Sequence, residues 1–301
     1  MNVLSLFDGI ACGRLALKRA DVQVDNYFAS EIDGNAIKVA MKNHNDIQQL
    51  GDVRTIVTGS LPHIHLVMGG SPCHGFSSAG LKKGLADERS GLLLQFVNLV
   101  RVLNPDYYLL ENVTMSKDNE AAVNDIMGHE PHKINSALVS AQNRRRLYWT
   151  NIPVDDVIPD CGIRVRDILC ADDDYCQFKS LRIGLTKRRT KNYVQWDKSG
   201  KGHNSQQDRG YYLDGKMCTV SRSGGLNKLN VCLDYDNNIY RRMHPIEVER
   251  LQNLPDGYTD GFGFSNSERI GLVGNGWTVD IIAHILRGMK GHEDASNSSC
   301  C

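Results

Sequence analysis

The stretch "MNVLSLFDGIACGRLALKRA" fills positions 1–20, and its reading decides the fold. Asn2–Phe7 is a short apolar run rich in Val, Leu and Phe, which predicts a buried strand. Phe7, Asp8, Gly9 and Gly13 then form a glycine-bearing turn, and "RLALKRA" begins a helix. Working outward, "NYFASE" (Asn26–Glu31) reads as a second strand with a helical pattern following through Asn43. Gly51-Asp52-Val53 closes a short third strand, and Ile64–Met68 is a fourth. "SGLLLQFVNLVRVL" (Ser90–Leu103) carries apolar residues round a helix that Asn104-Pro105 stops, and "YYLLEN" (Tyr107–Asn112) is a fifth strand. Repeated strand–helix units with buried strands predict an α/β fold with a doubly wound, mostly parallel sheet.

Composition bounds the rest. The chain has 301 residues, 41% of them hydrophobic, and a formal net charge of zero. That suffices for one sizeable core plus a small second lobe, and any affinity for a polyanion must come from a local patch. No run approaches the roughly 18 apolar residues of a membrane span, and the N-terminus lacks the basic start of a signal peptide. The nine cysteines include no C-x-x-C pair, and Cys161, Cys170 and Cys176 have no histidine at metal-ligand spacing. Free thiols, no metal site and a cytoplasmic location are the expectation. After Ile152 the pattern weakens. Lys179–Arg209 holds nine Lys or Arg against Asp197 and Asp208 and reads as a small irregular lobe. Helical spacing returns in His244–Leu254 and Thr278–Met289, and the polar tail 291–301 is expected to be disordered. The expected division is therefore 1–152, 153–240, 241–290 and the tail.

Ligands of parallel sheets gather outside the carboxyl ends of the strands, and that edge is where the chemistry-bearing residues fall. Phe7, Asp8, Gly9 and Gly13 supply a tight turn that a ligand can approach closely. Glu31 can accept from the hydroxyls of a ribose, and Asp52 from an adenine amino group. An adenosine-containing cofactor without a pyrophosphate fits this set, and S-adenosyl-L-methionine is such a molecule. The fourth strand runs into "GGSPCHGFSSAG" (Gly69–Gly80), where Pro72 stiffens a loop that presents Cys73. A single cysteine is usually packing, but Glu111 ends the adjacent strand, and "SAQNRRRLYW" (Ser140–Trp149) adds Gln142, Arg144, Arg145 and Arg146. A thiolate, a carboxyl group and a guanidinium together suit nucleophilic attack on an electron-poor ring such as cytosine.

These residues, in this order, resemble the DNA (cytosine-5)-methyltransferase family across nearly the whole chain. Phe7-Asp8-Gly9 resembles the family's first motif, Gly51-Asp52-Val53 the adenine-binding one, "GGSPCHGFS" the nucleophile loop and Glu111-Asn112-Val113 the acid motif. Gln142-x-Arg144-x-Arg146 resembles the arginine motif, "RRMHPIEVERLQNLPDGY" (Arg241–Tyr258) the late helix, and "GLVGNGW" (Gly271–Trp277) the closing cofactor motif. "FDGIACG", "GDVRTI" and "GNGWTV" lean toward the de novo vertebrate-type branch. The sequence departs from the family pattern at His74 (often glutamine), His244 (usually threonine), Asn253-Leu254 (usually Gly-Phe) and Asp280 (commonly proline).

The resemblance implies a Rossmann-like fold for S-adenosylmethionine-dependent methyl transfer, with a target-recognition region at about 153–240. It implies that Cys73 attacks C6 of a flipped cytosine, Glu111 contacts N3 and the amino group, and Arg146 stabilises the base at O2, with Arg144 in the same catalytic set as a candidate for phosphate or loop anchoring. It places the cofactor against Phe7, Asp8, Gly9, Gly13, Glu31, Ile32, Asp52, Val53, Ser71, Pro72, Leu92, Asn275, Gly276 and Trp277, with Ser90 a further candidate. The partner it implies is double-stranded DNA, bound by a monomer through Ser77, Arg182, Lys187, Arg188, Arg189, Lys191 and Arg222, with no metal. Two other readings stay open: a transfer-RNA methyltransferase of the same chemistry, and an inactive DNA-binding relative.

Overall fold

The structure is a computed structural model that describes residues 1–72, 91–170, 177–179, 187–196, 209–222, 229–237 and 239–289, with backbone only at 177–179, 187–188 and 196. It divides into two compact units. The first is Met1–Ile134, Arg145–Val157 and Asp280–Cys301; the second is Asn135–Arg144 and Ile158–Val279. The expected break near 152 lies close to one of these boundaries. Most of the 241–290 segment, however, groups with the second unit rather than completing the first.

The first unit is built on β1 (Asn2–Leu6), β2 (Asn26–Ser30), β3 (Ile47–Gln49), β4 (Leu66–Gly70), β5 (Tyr107–Val113), β6 (His132–Asn135) and β7 (Arg145–Thr150), in the spatial order β3-β2-β1-β4-β5-β7-β6. The pairs β2/β3, β1/β2, β1/β4 and β4/β5 are parallel, and β7 runs antiparallel to β5. Because the strands are covered on both faces, β1 and β2 are buried almost along their whole length rather than in alternation. Their side chains join a core with Leu4, Leu6, Val67, Phe96, Leu110 and Trp149. Gly69 permits the close approach of β4 to β1: a Cβ there would stand 2.8 Å from the Leu6 carbonyl oxygen.

Helices α1 (Cys12–Arg19), α2 (Gly34–Asn43), α3 (Gly91–Leu103) and α4 (Lys117–Met127) connect or flank these strands. Two of them are capped by chemistry the sequence supplies. Asp33 caps α2 by accepting from Asn35 and Ala36 N–H, Ser116 caps α4, and Gly128 at φ 82° ends it. The third strand is displaced from its expected place: Gly51-Asp52-Val53 forms the turn after β3, not the end of the strand.

The second unit contradicts the expectation of an irregular lobe. Strands β8 (Gln177–Lys179), β9 (Lys187–Arg189), β10 (Tyr193–Trp196), β11 (Arg209–Tyr212), β12 (Asn230–Asp234) and β13 (Ile239–Arg242) form a six-stranded sheet in the order β8-β13-β12-β11-β10-β9. Strands of three to five residues, one of them Lys-Arg-Arg, carry too little apolar periodicity to be seen in sequence. One face holds a small cluster of Val194, Cys232 and Tyr240, with Tyr212 and Tyr235 packed against it.

Helices α5 (Pro245–Leu251) and α6 (Asn266–Asn275) belong to this unit, and α7 (Val279–Arg287) follows. Three departures from the family pattern are physically accounted for. His244 caps α5 as a threonine would, its Nδ1 accepting from Ile246 N–H while Glu247 accepts from His244 N–H. Asn253 has φ 56°, a left-handed backbone that glycine or asparagine tolerates. Asp280 places a carboxylate in the first turn of α7, where the helix dipole favours it, and pairs with Arg19 at 2.6 Å.

The second unit also encloses an ion pair without solvent access. Arg241 and Glu247 are both 0% exposed and are joined by two hydrogen bonds of 2.9 and 2.6 Å; Glu247 also accepts from Cys170 and His244 N–H. Replacing Arg241 by methionine would leave Glu247 buried without its counter-charge. We expect a loss of about 3–5 kcal/mol, measured from urea unfolding.

Candidate active site

The strand order reverses between β1 and β4, the switch point at which open α/β sheets bind ligands. The turn after β1 is unusually shaped. Phe7, Gly9 and Ala11 all have left-handed backbones, at φ 56°, 60° and 61°. For the two non-glycine residues this costs on the order of 1–2 kcal/mol each, so the turn must be held from outside. Asp8 does much of the holding. Its N–H donates to the Ser30 carbonyl, its carbonyl accepts from Ala11 N–H, and its Oδ1 accepts from Ser5 Oγ and Tyr27 Oη, both at 2.7 Å. Asp8 Oδ2 is shut away from solvent and has no hydrogen-bond partner among the described residues. Burial therefore pushes the carboxyl up to about 6, against the two hydroxyls that favour its charge; the nearby Glu31 adds to the rise.

Glu31 stands just past β2. Its Oε2 accepts from Gly9 N–H, and its Oε1 from Ile32 and Asp33 N–H, all at 2.8 Å. A carboxylate has about four acceptor sites, so the three contacts fix its position and leave room for a ligand hydroxyl. Ile32 beside it is 74% exposed, an apolar side chain offered to solvent. Asp52 is differently placed from the expectation. Its carboxylate is held by Arg54 through the backbone N–H and the guanidinium, and these bonds draw it down to about 2. An adenine amino group would have to share that carboxylate with Arg54. Val53 is buried in the core and Leu92 packs against it.

At the neighbouring strand ends, β5 and β7 bring a carboxylate, Glu111, and a guanidinium, Arg146, together. Val113 lies opposite Arg146, and Glu111 opposite Tyr148. Glu111 and Val113 are two apart on one strand, so Glu111 and Arg146 are diagonal neighbours on the same face. Arg146 Nε stands 2.8 Å from Glu111 Oε1, with both side chains about nine-tenths buried. The Nε–H is not aligned as a hydrogen bond, so the contact is one of charge. Next to Glu111, Asn112 is buried and its Nδ2 donates to Ser71 Oγ at 3.0 Å and to the Ser71 carbonyl at 3.3 Å. This ties the start of the Ser71-Pro72 loop to β5. Cys73, Ser77 and Ser90 lie outside the described residues, as does Arg182.

Arg144 does not share the role of Arg146. It is 4% exposed and donates to the carbonyls of Val220, Gly274 and Gly276. Both terminal nitrogens of its guanidinium are thus engaged by backbone carbonyls, an arrangement that suits the loop-anchoring role expected of Arg144 better than contact with a substrate. The same corner of the second unit holds Gln252, which sequence reasoning passed over. Its Nε2 donates to the Val273 and Gly276 carbonyls while its Oε1 accepts from Thr278 and Gln142. The Asn275-Gly276-Trp277 turn is thus set by buried polar groups, with Asn275 itself exposed.

Of the expected DNA-contacting residues, Lys187, Arg188 and Arg189 form edge strand β9, and Arg189 lies 3.9 Å over the Tyr235 ring. Lys191 is exposed, and Arg222 lies against Gly271. His63, His65 and Asp106 could offer three metal-ligand atoms within 4.8 Å of one another. His65 Nδ1, however, already accepts from Asn2 N–H at 2.9 Å, which puts the ring proton on the nitrogen a metal would need.

This architecture is the Rossmann-like fold of S-adenosylmethionine-dependent methyltransferases. The structure of the Schizosaccharomyces pombe Dnmt2 methyltransferase superposes with a TM-score of 0.70 at 18% identity, covering 95% of this chain and 97% of the other; at that identity the likeness is one of fold. Residues 1–291 match the family described as C-5 cytosine-specific DNA methylase, and the chain belongs to that family. The type II methyltransferase M.FnuDI of Fusobacterium nucleatum is 33% identical over 328 residues, covering 96% of this chain and 94% of its own. M.NlaX of Neisseria lactamica is 28% identical over 315 residues, with 96% of each chain covered. The lean toward a de novo vertebrate-type branch is overturned by these bacterial relatives and by partial matches to phage orphan methyltransferases. The motifs behind it are short turns whose residues answer to backbone geometry, and such turns say little about lineage.

The ionisation of Asp8 sets a pH test. Folding raises its pKa from the usual 3.8 to about 6, so the native state holds the proton more tightly than the unfolded chain. The stability this contributes is fully present below about 3.8 and lost as pH rises through about 6. Asp8→Asn keeps an acceptor for Ser5 and Tyr27 but cannot ionise. Between pH 4 and 7 the wild type should lose up to roughly 3 kcal/mol relative to Asp8→Asn, followed by urea unfolding across that range.

Proposed function

We propose that this protein transfers a methyl group to C5 of cytosine in double-stranded DNA through a covalent adduct between Cys73 and C6. The observation that carries the reading is the Glu111–Arg146 pair at the strand ends beside the Ser71-Pro72 stem. It offers one ring both an acceptor and a cationic donor. S-adenosylmethionine, when bound, supplies the electrophilic methyl group. The turn at Phe7–Gly9, Glu31 and Ile32 would hold its nucleoside part, with Asp8, Gly13, Asp52, Val53, Ser71, Pro72, Leu92 and Asn275–Trp277 as further candidate contacts. The carboxylate of Glu31, fixed by three N–H groups, suits a ribose hydroxyl, and the exposed Ile32 suits an adenine face.

In this reading Pro72 and the Asn112–Ser71 bond aim the loop that carries Cys73. The thiolate adds to C6, and the electron pair of the C5–C6 bond moves into the ring. Glu111 holds N3 and the amino group, and Arg146 holds O2, where negative charge gathers. After methylation a base removes the C5 proton, and the returning electrons expel the thiolate. The target base lies inside a duplex, so it must be turned out to reach this pocket. DNA is favoured over RNA because the named relatives of nearly full length are type II methyltransferases.

Cys73→Ser should abolish methyl transfer, because an alkoxide forms far less readily than a thiolate at neutral pH. DNA carrying 5-fluorocytosine at the target should trap the wild-type protein as a slow band on a denaturing gel, and only with the cofactor present. Normal turnover by Cys73→Ser, or trapping that survives the substitution, would sink the mechanism.

The basic edge strand is proposed to contact phosphates. Charged residues also protect a sheet edge from pairing with another chain, so the two roles need separating. Losing one phosphate contact flattens the dependence of log K on log salt by about one unit. Removing the charges of Arg188 and Arg189 should lower that slope in a filter-binding titration; an unchanged slope assigns the strand to edge protection alone.

A further inference from the structure

Tyr27 enters no step of the chemistry, yet it reaches the cofactor turn from inside the sheet. It is 0% exposed in β2 and lies opposite Val3; Ala29, two residues on, lies opposite Ser5. Tyr27 and Ser5 therefore share a face, and Asp8 folds back over that face so that one oxygen, Oδ1, receives both hydroxyls at 2.7 Å. We propose that Tyr27 is a positioning residue for the cofactor turn, its phenol holding Asp8 and, through Asp8, the left-handed backbone of Phe7 and Gly9.

The inference rests on the reading of that turn as the cofactor site. The geometry makes the clamp consequential in two ways. First, the turn has two non-glycine residues in a disfavoured backbone region, so weakening its anchor lets other conformers compete. Binding must then select the competent fraction, and apparent affinity falls by that fraction. Second, Asp8 Oδ2 has no hydrogen-bond partner among the described residues, so the two hydroxyls on Oδ1 are the side-chain donors that favour its charged form. Burial and the negative Glu31 oppose them. Glu31 is the charged group that acts on Asp8, and Ser5 and Tyr27 are the polar ones. Losing the Tyr27 hydroxyl moves the ionisation of Asp8 further up, and the protonated acid is a poorer acceptor for Ser5. The clamp is thus expected to loosen as pH falls, at a pH that Tyr27 sets.

The test is calorimetric titration of the full-length protein with S-adenosylhomocysteine from pH 5 to 8. Wild-type affinity should weaken as pH drops through about 6. Tyr27→Phe removes one oxygen and preserves the ring. It should bind roughly tenfold more weakly at pH 7.5, as expected for loss of a hydrogen bond to a charged group, with the pH midpoint displaced upward. Asp8→Asn should erase the pH step. A Tyr27→Phe protein that melts like wild type, binds within twofold of it and keeps its midpoint would overturn the proposal. Should Tyr27→Phe fail to fold, Ser5→Ala removes the other hydroxyl from the same oxygen and must shift affinity and midpoint in the same directions; no shift overturns the clamp. Glu31→Ala serves as the separate control. Wild-type affinity in that variant would overturn the cofactor reading beneath the proposal, whatever Tyr27→Phe does.

Discussion

Strand β7 runs against its neighbour β5, and the meeting of Glu111 with Arg146 depends on that reversal. In a parallel arrangement the first residues of β7 would lie at the opposite edge of the sheet from the last residues of β5. The antiparallel register instead brings Arg146, near the start of one strand, beside Glu111, near the end of the other. A guanidinium and a carboxylate 35 positions apart become diagonal neighbours on one face. The same strand end carries Asn112, which bonds to Ser71 at the end of parallel strand β4. One reversed strand therefore gathers Glu111, Arg146 and the Asn112–Ser71 contact at a single edge.

The turn after β1 shows the complementary strategy, in which a strained local backbone is held by its surroundings. Phe7 and Ala11 adopt a conformation their side chains disfavour, and Asp8 binds the turn to β1 and β2 through backbone and side chain alike. A carboxylate with two hydroxyls on one oxygen and no hydrogen-bond partner among the described residues on the other is a costly anchor, and burial raises it toward 6. Strain and an unsatisfied oxygen at one turn are what a site under functional constraint is expected to show. In the second unit the Asn275-Gly276-Trp277 turn is set without strain. Arg144 and Gln252 both donate to the Gly276 carbonyl, and Thr278 completes the network.

The parallel half of the fold was legible because each buried strand is a short apolar run ended by glycine or a carboxylate. Phe7–Gly9, Glu31 and Glu111 could be placed at one edge from that pattern alone. What escaped has identifiable causes. Strand β7, "RRLYWT", begins with two arginines and gives no sign of its direction, since direction is set by pairing rather than by local sequence. The strands of the second sheet hold three to five residues each, too few for a period to show. Arg144 and Arg146 are the same residue type two positions apart in one motif, and sequence assigned both to the reaction. The chain passes from the second unit to the first between Arg144 and Arg145. That crossing, invisible in sequence, gives one guanidinium to backbone carbonyls and the other to Glu111.

The departures from the family pattern carry the argument one step further. His244, Asn253 and Asp280 differ chemically from threonine, glycine and proline, yet each meets the physical requirement of its position. An imidazole nitrogen accepts the N–H that a hydroxyl would accept, an asparagine takes the left-handed backbone of a glycine, and a carboxylate favours a helix start by charge where proline favours it by a fixed φ. Such positions constrain a job, and several residues can do it. Glu111 and Arg146 are constrained differently, because their 2.8 Å contact, about nine-tenths buried, needs an anion and a cation at those two positions. Asp8 differs again: Asn would keep both hydroxyl contacts and avoid the buried charge, so packing alone does not account for an acid at this position.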